Sequence, residues 1–98
     1  MQTEFIIVSE YCYKCHIEPS FIELLEDAGL IETRIEENER CLMVSQLPDL
    51  EKYSRMYYDL SISIEGIDAI RHLLQRIELM RHEMSMLRKQ LLLHDLIK

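Results

Sequence analysis

The chain has 98 residues, enough for one small domain, and such a domain buries only about 60 to 65% of its unfolded surface. Apolar residues make up 48% and charged residues 30%, with two glycines and two prolines, which excludes collagen-like, disordered and low-complexity chains. The net charge is -7. Residues 1–50 carry 11 acids and 3 bases, whereas residues 51–98 carry 7 acids and 8 bases. Because phosphate backbones are bound by clustered Lys and Arg, this acidic first half argues against nucleic acid and favours a basic protein partner.

The first residues lack the basic region and the long apolar core of a signal peptide. No run approaches the roughly 18 to 20 apolar residues that cross a bilayer. We therefore expect a cytoplasmic protein without a membrane partner. Its three cysteines, an odd number, are then expected to be reduced thiols.

The N-terminal half alternates short strands and short helices. The run 5–8, Phe-Ile-Ile-Val, favours a β-strand and is too short for a helix. Ser9 is predicted to cap a first helix, and Pro19 is predicted to open a second helix that ends at Gly29. Two short helices with a tight connection are typical of a helix-turn-helix.

A predicted hairpin and a third helix follow. Residues 30–44 form two β-favouring runs around the polar tip 36–39, and a hairpin directly after a helix-turn-helix is a wing. Ser45 is predicted to cap the third helix, with Pro48 in its first turns. The apolar stripe of that helix consists of Leu47, Leu50, Tyr53, Tyr57 and Leu60, with Met56 beside it.

The last third of the chain predicts one long helix, capped by Ser63, with Ile62 and Ile67 in the positions of a hydrophobic staple. At ~1.5 Å per residue, about 35 residues extend roughly 50 Å, more than a small domain can cover. We therefore predict a winged helix-turn-helix domain at 1–62 and a dimerisation helix, through a coiled coil or helix bundle, at 63–98. The heptad positions a and d of the predicted homodimer are Ile70, Leu73, Ile77, Met80, Met84, Leu87 and Leu91, with His94 as the one polar residue.

Four motifs occur in this order of elements: Ser9-Glu10-Tyr11-Cys12, Ile17-Glu18-Pro19, Leu25-Glu26-Asp27-Ala28-Gly29-Leu30-Ile31 and Leu60-Ser61-Ile62-Ser63-Ile64-Glu65-Gly66-Ile67. They resemble the MerR-like winged helix-turn-helix family over nearly the whole chain. The implied fold is mainly α, with a small β wing and a long C-terminal helix. Within the family the chain resembles the small chaperone modulators of the CbpM type, which start with a short strand, continue with a Glu-aromatic-Cys helix and end in a leucine-rich helix.

The resemblance implies a non-enzymatic regulator. Modulators of the CbpM type bind the J-domain of a DnaJ-like (CbpA-type) co-chaperone and keep it from working with the DnaK-type chaperone. The alternative is a dimeric MerR-like transcription regulator that binds DNA. No Gly-rich phosphate loop or nucleophile–base pair is evident in the sequence, which agrees with a protein that is not an enzyme.

The charged residues of the second helix distinguish J-domain binding from DNA binding. DNA-binding relatives carry an Arg at the position that aligns with Glu23 here, and the wing has Arg34 and Arg40 among four glutamates. A J-domain presents a basic helix to its chaperone, so an acidic helix could occupy that surface by charge complementarity. The predicted partner-binding residues are Glu18, Glu23, Glu26 and Asp27. The alternative interpretation of these acids is a solvated face.

Residues 12–16 match C-x-x-C-H, the attachment sequence of c-type haem, and with Cys41 they would supply three thiolates and one imidazole for zinc. Adjacent Cys15 and His16 are awkward ligands for one metal, and haem attachment belongs to exported proteins. We therefore expect no metal and no cofactor. Cys12, and with it Cys15, is instead expected to pack the first helix into the core.

Overall fold

The computed structural model describes residues 4–97, so Met1–Thr3 and Lys98, the last residue of the predicted long helix, lie outside the described residues. The described chain is 71% helical with one three-stranded antiparallel sheet, which confirms the predicted winged helix-turn-helix. The elements are β1 (Phe5–Ile7), α1 (Val8–Cys15), α2 (Pro19–Asp27), β2 (Thr33–Glu36), β3 (Glu39–Met43), α3 (Leu47–Ser54) and α4 (Ile64–Ile97). Two compact units comprise Met1–Asp68 and Ala69–Lys98.

The sheet has the order β1-β3-β2, so the N-terminal strand extends the wing on its far side. Both outer strands run antiparallel to β3, and Leu42 pairs with Ile6 on one side and Thr33 on the other. The two turn residues between β2 and β3, Glu37 and Asn38, have positive φ angles of 51° and 65°. A two-residue turn of this kind matches the right-handed twist of the strands that it joins.

The connection from α2 to β2 differs from the predicted hairpin. Leu30 and Ile31 are buried in the core, and β2 begins only at Thr33. The N–H of Gly29 donates to the carbonyl of Glu26, and the N–H of Leu30 donates to that of Leu25. This pair of bonds is a Schellman motif, in which the apolar residue after the glycine packs back on the helix.

Helix α1 ends on a left-handed residue that is not glycine. His16 has φ 56° and ψ 42°, and the N–H of Ile17 donates to the carbonyl of Cys12. The start of α1 corrects the sequence prediction: the helix begins at Val8 after Ile7, and no side chain caps it, so Ser9 lies inside the first turn.

Replacing His16 with Gly should stabilise the protein by about 1 kcal/mol. The left-handed conformation raises the free energy of a residue with a Cβ by about 1–2 kcal/mol, and glycine lacks this strain. Urea unfolding followed by circular dichroism measures the difference in free energy of unfolding.

Gly29 supplies the matched control, since its φ is 77° and an added Cβ would meet no atom within 4 Å. Gly29→Ala should therefore destabilise the protein by about 1 kcal/mol through backbone strain alone. Equal stability of His16→Gly and the wild type would contradict the proposed strain at His16.

Helix α3 starts later than predicted. A 3-10 turn at Val44–Gln46 precedes it, and the residue before α3 is Gln46 without a side-chain cap bond, so Ser45 is not the cap. Pro48 lies in the first turn, as predicted. A π-helical turn at Arg55–Asp59 follows α3 and shifts the side-chain register, so the last residue of the predicted stripe, Leu60, is 66% exposed.

The start of α4 is as predicted. The Ser63 hydroxyl accepts a hydrogen bond from the N–H of Gly66 at 3.1 Å. Ile67 is fully buried, and Ile62 packs against the same core, as a hydrophobic staple requires. A Cβ on Gly66 would lie 2.8 Å from Cγ2 of Ile62, so the staple needs a glycine here.

One core lies between the helices and the inner face of the sheet. Its largest fully buried side chains come from α2, β3, α3 and the first turn of α4: Phe21, Ile22, Leu25, Leu42, Leu50 and Ile67. Helix α2 therefore has one face held rigidly by packing, which leaves its other face as a fixed surface.

Candidate functional site: the exposed face of α2

The exposed face of α2 is formed by Ser20, Glu23, Leu24 and Asp27. These positions recur at intervals of three or four residues and so share one side of the helix. Phe21, Ile22 and Leu25 lie on the opposite side in the core. The resulting surface, called here the α2 face, has an apolar residue next to two carboxylates, and Leu24 is 43% exposed. Such a surface suits a partner with both apolar and cationic side chains.

Glu26 is not on the α2 face. Its carboxylate accepts hydrogen bonds from the Thr33 hydroxyl and from the Thr33 N–H, the latter at 3.0 Å, and it forms an ion pair with Arg40. Arg40 also contacts Glu23, so Glu23 and Glu26 lie near each other as predicted, but Glu26 is partly buried against the wing whereas Glu23 and Asp27 are exposed. The Glu26 side chain lies against the wing, where Thr33 of β2 and Arg40 of β3 donate hydrogen bonds to its carboxylate.

The pKa of the Glu26 carboxyl lies below its ordinary value of 4.5, first because Thr33 donates its hydroxyl hydrogen and also because Arg40 is near. A lowered pKa contributes stability that is complete above the ordinary value and is lost as pH falls through the lowered one. Glu26→Gln should reduce stability at pH 7 by about 1–2 kcal/mol and flatten the loss of stability below pH 4.5. Urea unfolding from pH 7 to pH 3 measures both effects.

Asp27→Asn is the matched control, because Asp27 is the neighbouring exposed carboxylate on α2. It should leave the pH profile of stability close to that of the wild type. Superimposed profiles for Glu26→Gln and the wild type would show that the link between α2 and the wing contributes nothing to folding.

The two arginines of the wing have different surroundings. Arg40 lies beside Glu26 and has its Nη1 3.8 Å from Oε1 of Glu23, while its Nε donates to Thr33. Arg34 is exposed on β2. Because Arg40 already faces two carboxylates, its charge is largely compensated within the fold and is poorly placed to hold a phosphate.

The first turn of α2 contacts an aromatic cluster formed by Phe21, Tyr57 and Tyr58. Phe21 lies 4.7 Å from the ring of Tyr57 and 5.2 Å from that of Tyr58, measured between centroids. The Tyr58 hydroxyl accepts a hydrogen bond from the N–H of Glu18 at 3.3 Å. Tyr58 is 43% exposed, so part of its ring is open to solvent beside the start of α2. The π-helical turn that carries it had no clear signal in the sequence.

Cys12 and Cys41 are buried, whereas Cys15 is exposed and so does not pack into the core as expected. Burial, followed by the Cys15 thiol, raises the pKa of Tyr11 to about 12, and burial raises the pKa of Cys12. Among residues 4–97, no three His, Cys, Asp or Glu side chains lie close enough together to hold a metal ion.

Side chains on α4 beyond Arg71 are exposed along the described helix. Six of the predicted dimerisation residues are between 43% and 65% exposed, and Ile70 is half-buried. The six are Leu73, Ile77, Met80, Met84, Leu87 and Leu91. In the described part of the chain, no helix is both long and apolar enough to span a membrane.

Comparison with known proteins agrees with the architecture. The family model of the MerR HTH family regulatory proteins matches residues 6–89, from β1 to the third heptad of α4. No curated protein and no solved structure matches the chain. The family match covers the helix-turn-helix, the wing and most of the long helix, and the chain therefore belongs to the MerR HTH family of regulatory proteins.

Proposed function

We propose that the protein is a non-enzymatic modulator that binds the J-domain of a DnaJ-like co-chaperone through the α2 face and inhibits its work with the DnaK-type chaperone. The observation that carries this proposal is the composition of the exposed side of α2, where Glu23, Leu24 and Asp27 stand without a basic neighbour on that helix. In a MerR-like fold this helix is the one that recognises the partner. An acidic and partly apolar recognition helix fits a basic helix better than it fits phosphate.

Three of the four predicted partner residues support this proposal by their position. Glu18, Glu23 and Asp27 are exposed at the first turn and along the outer side of α2. Glu26 acts differently: its two bonds from Thr33 hold α2 to the wing and so position the α2 face. Arg40 contacts both Glu26 and Glu23, but Glu23 makes no such bond to Thr33 and is exposed. We therefore keep Glu18, Glu23 and Asp27 as contacts and assign Glu26 a positioning role.

The protein is further proposed to be a homodimer through α4. An isolated helix with this exposed apolar seam is unfavourable in water, and a heptad repeat specifies a partner helix of the same period. A second copy of α4 has the same heptad period and the same length, so it can pack along the whole seam. Dimerisation would present two α2 faces, so two J-domains could bind per dimer.

The alternative is a dimeric DNA-binding regulator, which the family match favours. Two titrations separate the functions: calorimetry with the purified J-domain of a DnaJ-like protein from the same cell, and fluorescence anisotropy with duplex DNA in 50 to 200 mM salt. Our proposal expects a one-to-one complex of J-domain and chain. DNA binding that weakens steeply with salt, without a J-domain complex, would favour the alternative, since phosphate contacts release counterions.

A further inference from the structure

The outer face of the sheet carries apolar side chains that do not belong to the core. Ile6 and Leu42 point into the core, and because side chains alternate along a strand, Phe5, Ile7 and Cys41 point to the other side. There these three residues line a shallow cleft of about 300 Å³ whose rim carries Glu36, Glu37 and Glu39.

This cleft continues toward α2. A second cleft of about 190 Å³ is lined by Pro19, Ile22, Glu23 and Arg40, and it shares Ile7 and Glu39 with the first. The two clefts adjoin at Ile7 and Glu39 and are together called here the wing groove, with Glu23 at one end and the outer face of β1 and β3 at the other. The α2 face and the wing groove therefore meet at Glu23.

The charges along the wing groove are mainly negative. Four carboxylates line it, and Arg40, which also lines it, contacts Glu23 and Glu26. Arg34 pairs with Cys41 on the same outer face and is the cation beside the acidic rim. Glu36 and Glu39 are paired directly across the hairpin. Like charges in opposite positions of a sheet are destabilising, so a cation bound between them would relieve this repulsion.

We propose that the wing groove seats an apolar side chain of the same basic partner segment that contacts the α2 face, with flanking Lys or Arg side chains against Glu36, Glu37 and Glu39. This inference rests on the proposed function, because the J-domain is the partner that supplies the basic segment. The apolar floor of Phe5 and Ile7 gives the contact its buried area, and the acidic rim gives it its preference for cationic neighbours.

The decisive variant is Glu39→Lys. Position 39 is exposed and opposes Glu36, so Lys should preserve or raise the stability of the hairpin while it places a cation where the partner's cation would bind. Calorimetry of the full-length variant with the purified J-domain should give affinity about tenfold weaker than that of the wild type.

Glu32→Lys is the matched control, since it makes the same charge change at an exposed residue outside the wing groove. Its affinity should stay within about twofold of the wild type. A second readout is the ¹H–¹⁵N NMR spectrum, in which the amides of Ile7, Glu39 and Cys41 should shift on titration with the J-domain.

The outcomes separate this inference from the function on which it rests. Equal affinities of Glu39→Lys and Glu32→Lys for the J-domain would contradict binding in the wing groove and leave the α2 face as the proposed site. Unshifted wing-groove amides in a formed complex would have the same meaning. No complex between the wild type and any J-domain from its own cell would overturn both.

Discussion

Replacing Ile77 and Met84 together with Glu should convert the proposed dimer to a monomer. Both residues lie on the heptad seam of α4, and the double change would place four carboxylates in the buried interface of each dimer. Burying an unpaired charge costs several kcal/mol, so the dimer dissociation constant should rise by a factor on the order of 1000 or more. Light scattering coupled to size-exclusion chromatography measures the molar mass directly.

A matched control puts the same charges on another side of α4. Gln75 and His82 are exposed and lie outside positions a and d, so Gln75→Glu with His82→Glu should leave the dimer intact. Circular dichroism shows whether each variant keeps its helical content. A wild type that is monomeric at every concentration would rule out the dimer and leave the seam of α4 as a surface for another protein.

Reversing Glu23 and Asp27 to Lys should weaken the J-domain complex by about a hundredfold. Both side chains are exposed on the α2 face, where opposed charges steer association and hold the orientation of the partner. Raising the salt concentration from 50 to 500 mM should weaken the wild-type complex as well, because exposed charge pairs are screened. Calorimetry gives the affinity, and stopped-flow fluorescence gives the association rate, which should fall more than the dissociation rate rises.

The choice of Asp27 over Glu26 in this variant follows from the structure. Lys at position 26 would lose both Thr33 bonds, so weaker binding could reflect a displaced wing. Arg81→Glu on α4 serves as the control for charge reversal away from the α2 face and should leave affinity within about twofold. Unchanged affinity in the Glu23 and Asp27 variant would mean that these acids only solvate the helix.

Local signals in the sequence determined much of this fold. Pro19 and Gly29 bound α2 because proline suits a first turn and glycine accepts a positive φ, and both effects act within a few residues. Ser63 likewise caps α4 through a bond three residues away. The apolar period of α2 separated its buried face from the α2 face, and the acidic excess of residues 1–50 by itself favours a basic partner.

Tertiary contacts decided the rest. Helical spacing predicts Glu26 as an exposed carboxylate beside Glu23 and Asp27, but Thr33 and Arg40, brought near by the return of the wing, bind its carboxylate and partly bury it. Leu30 and Ile31 have strand-forming side chains, yet burial in the core outweighs their pairing in the sheet. The wing groove arises only because β1 adds to the wing and turns Phe5 and Ile7 toward β3. These features depend on contacts between residues far apart in the chain. The pattern of residues within one segment does not indicate which distant side chains that segment will contact.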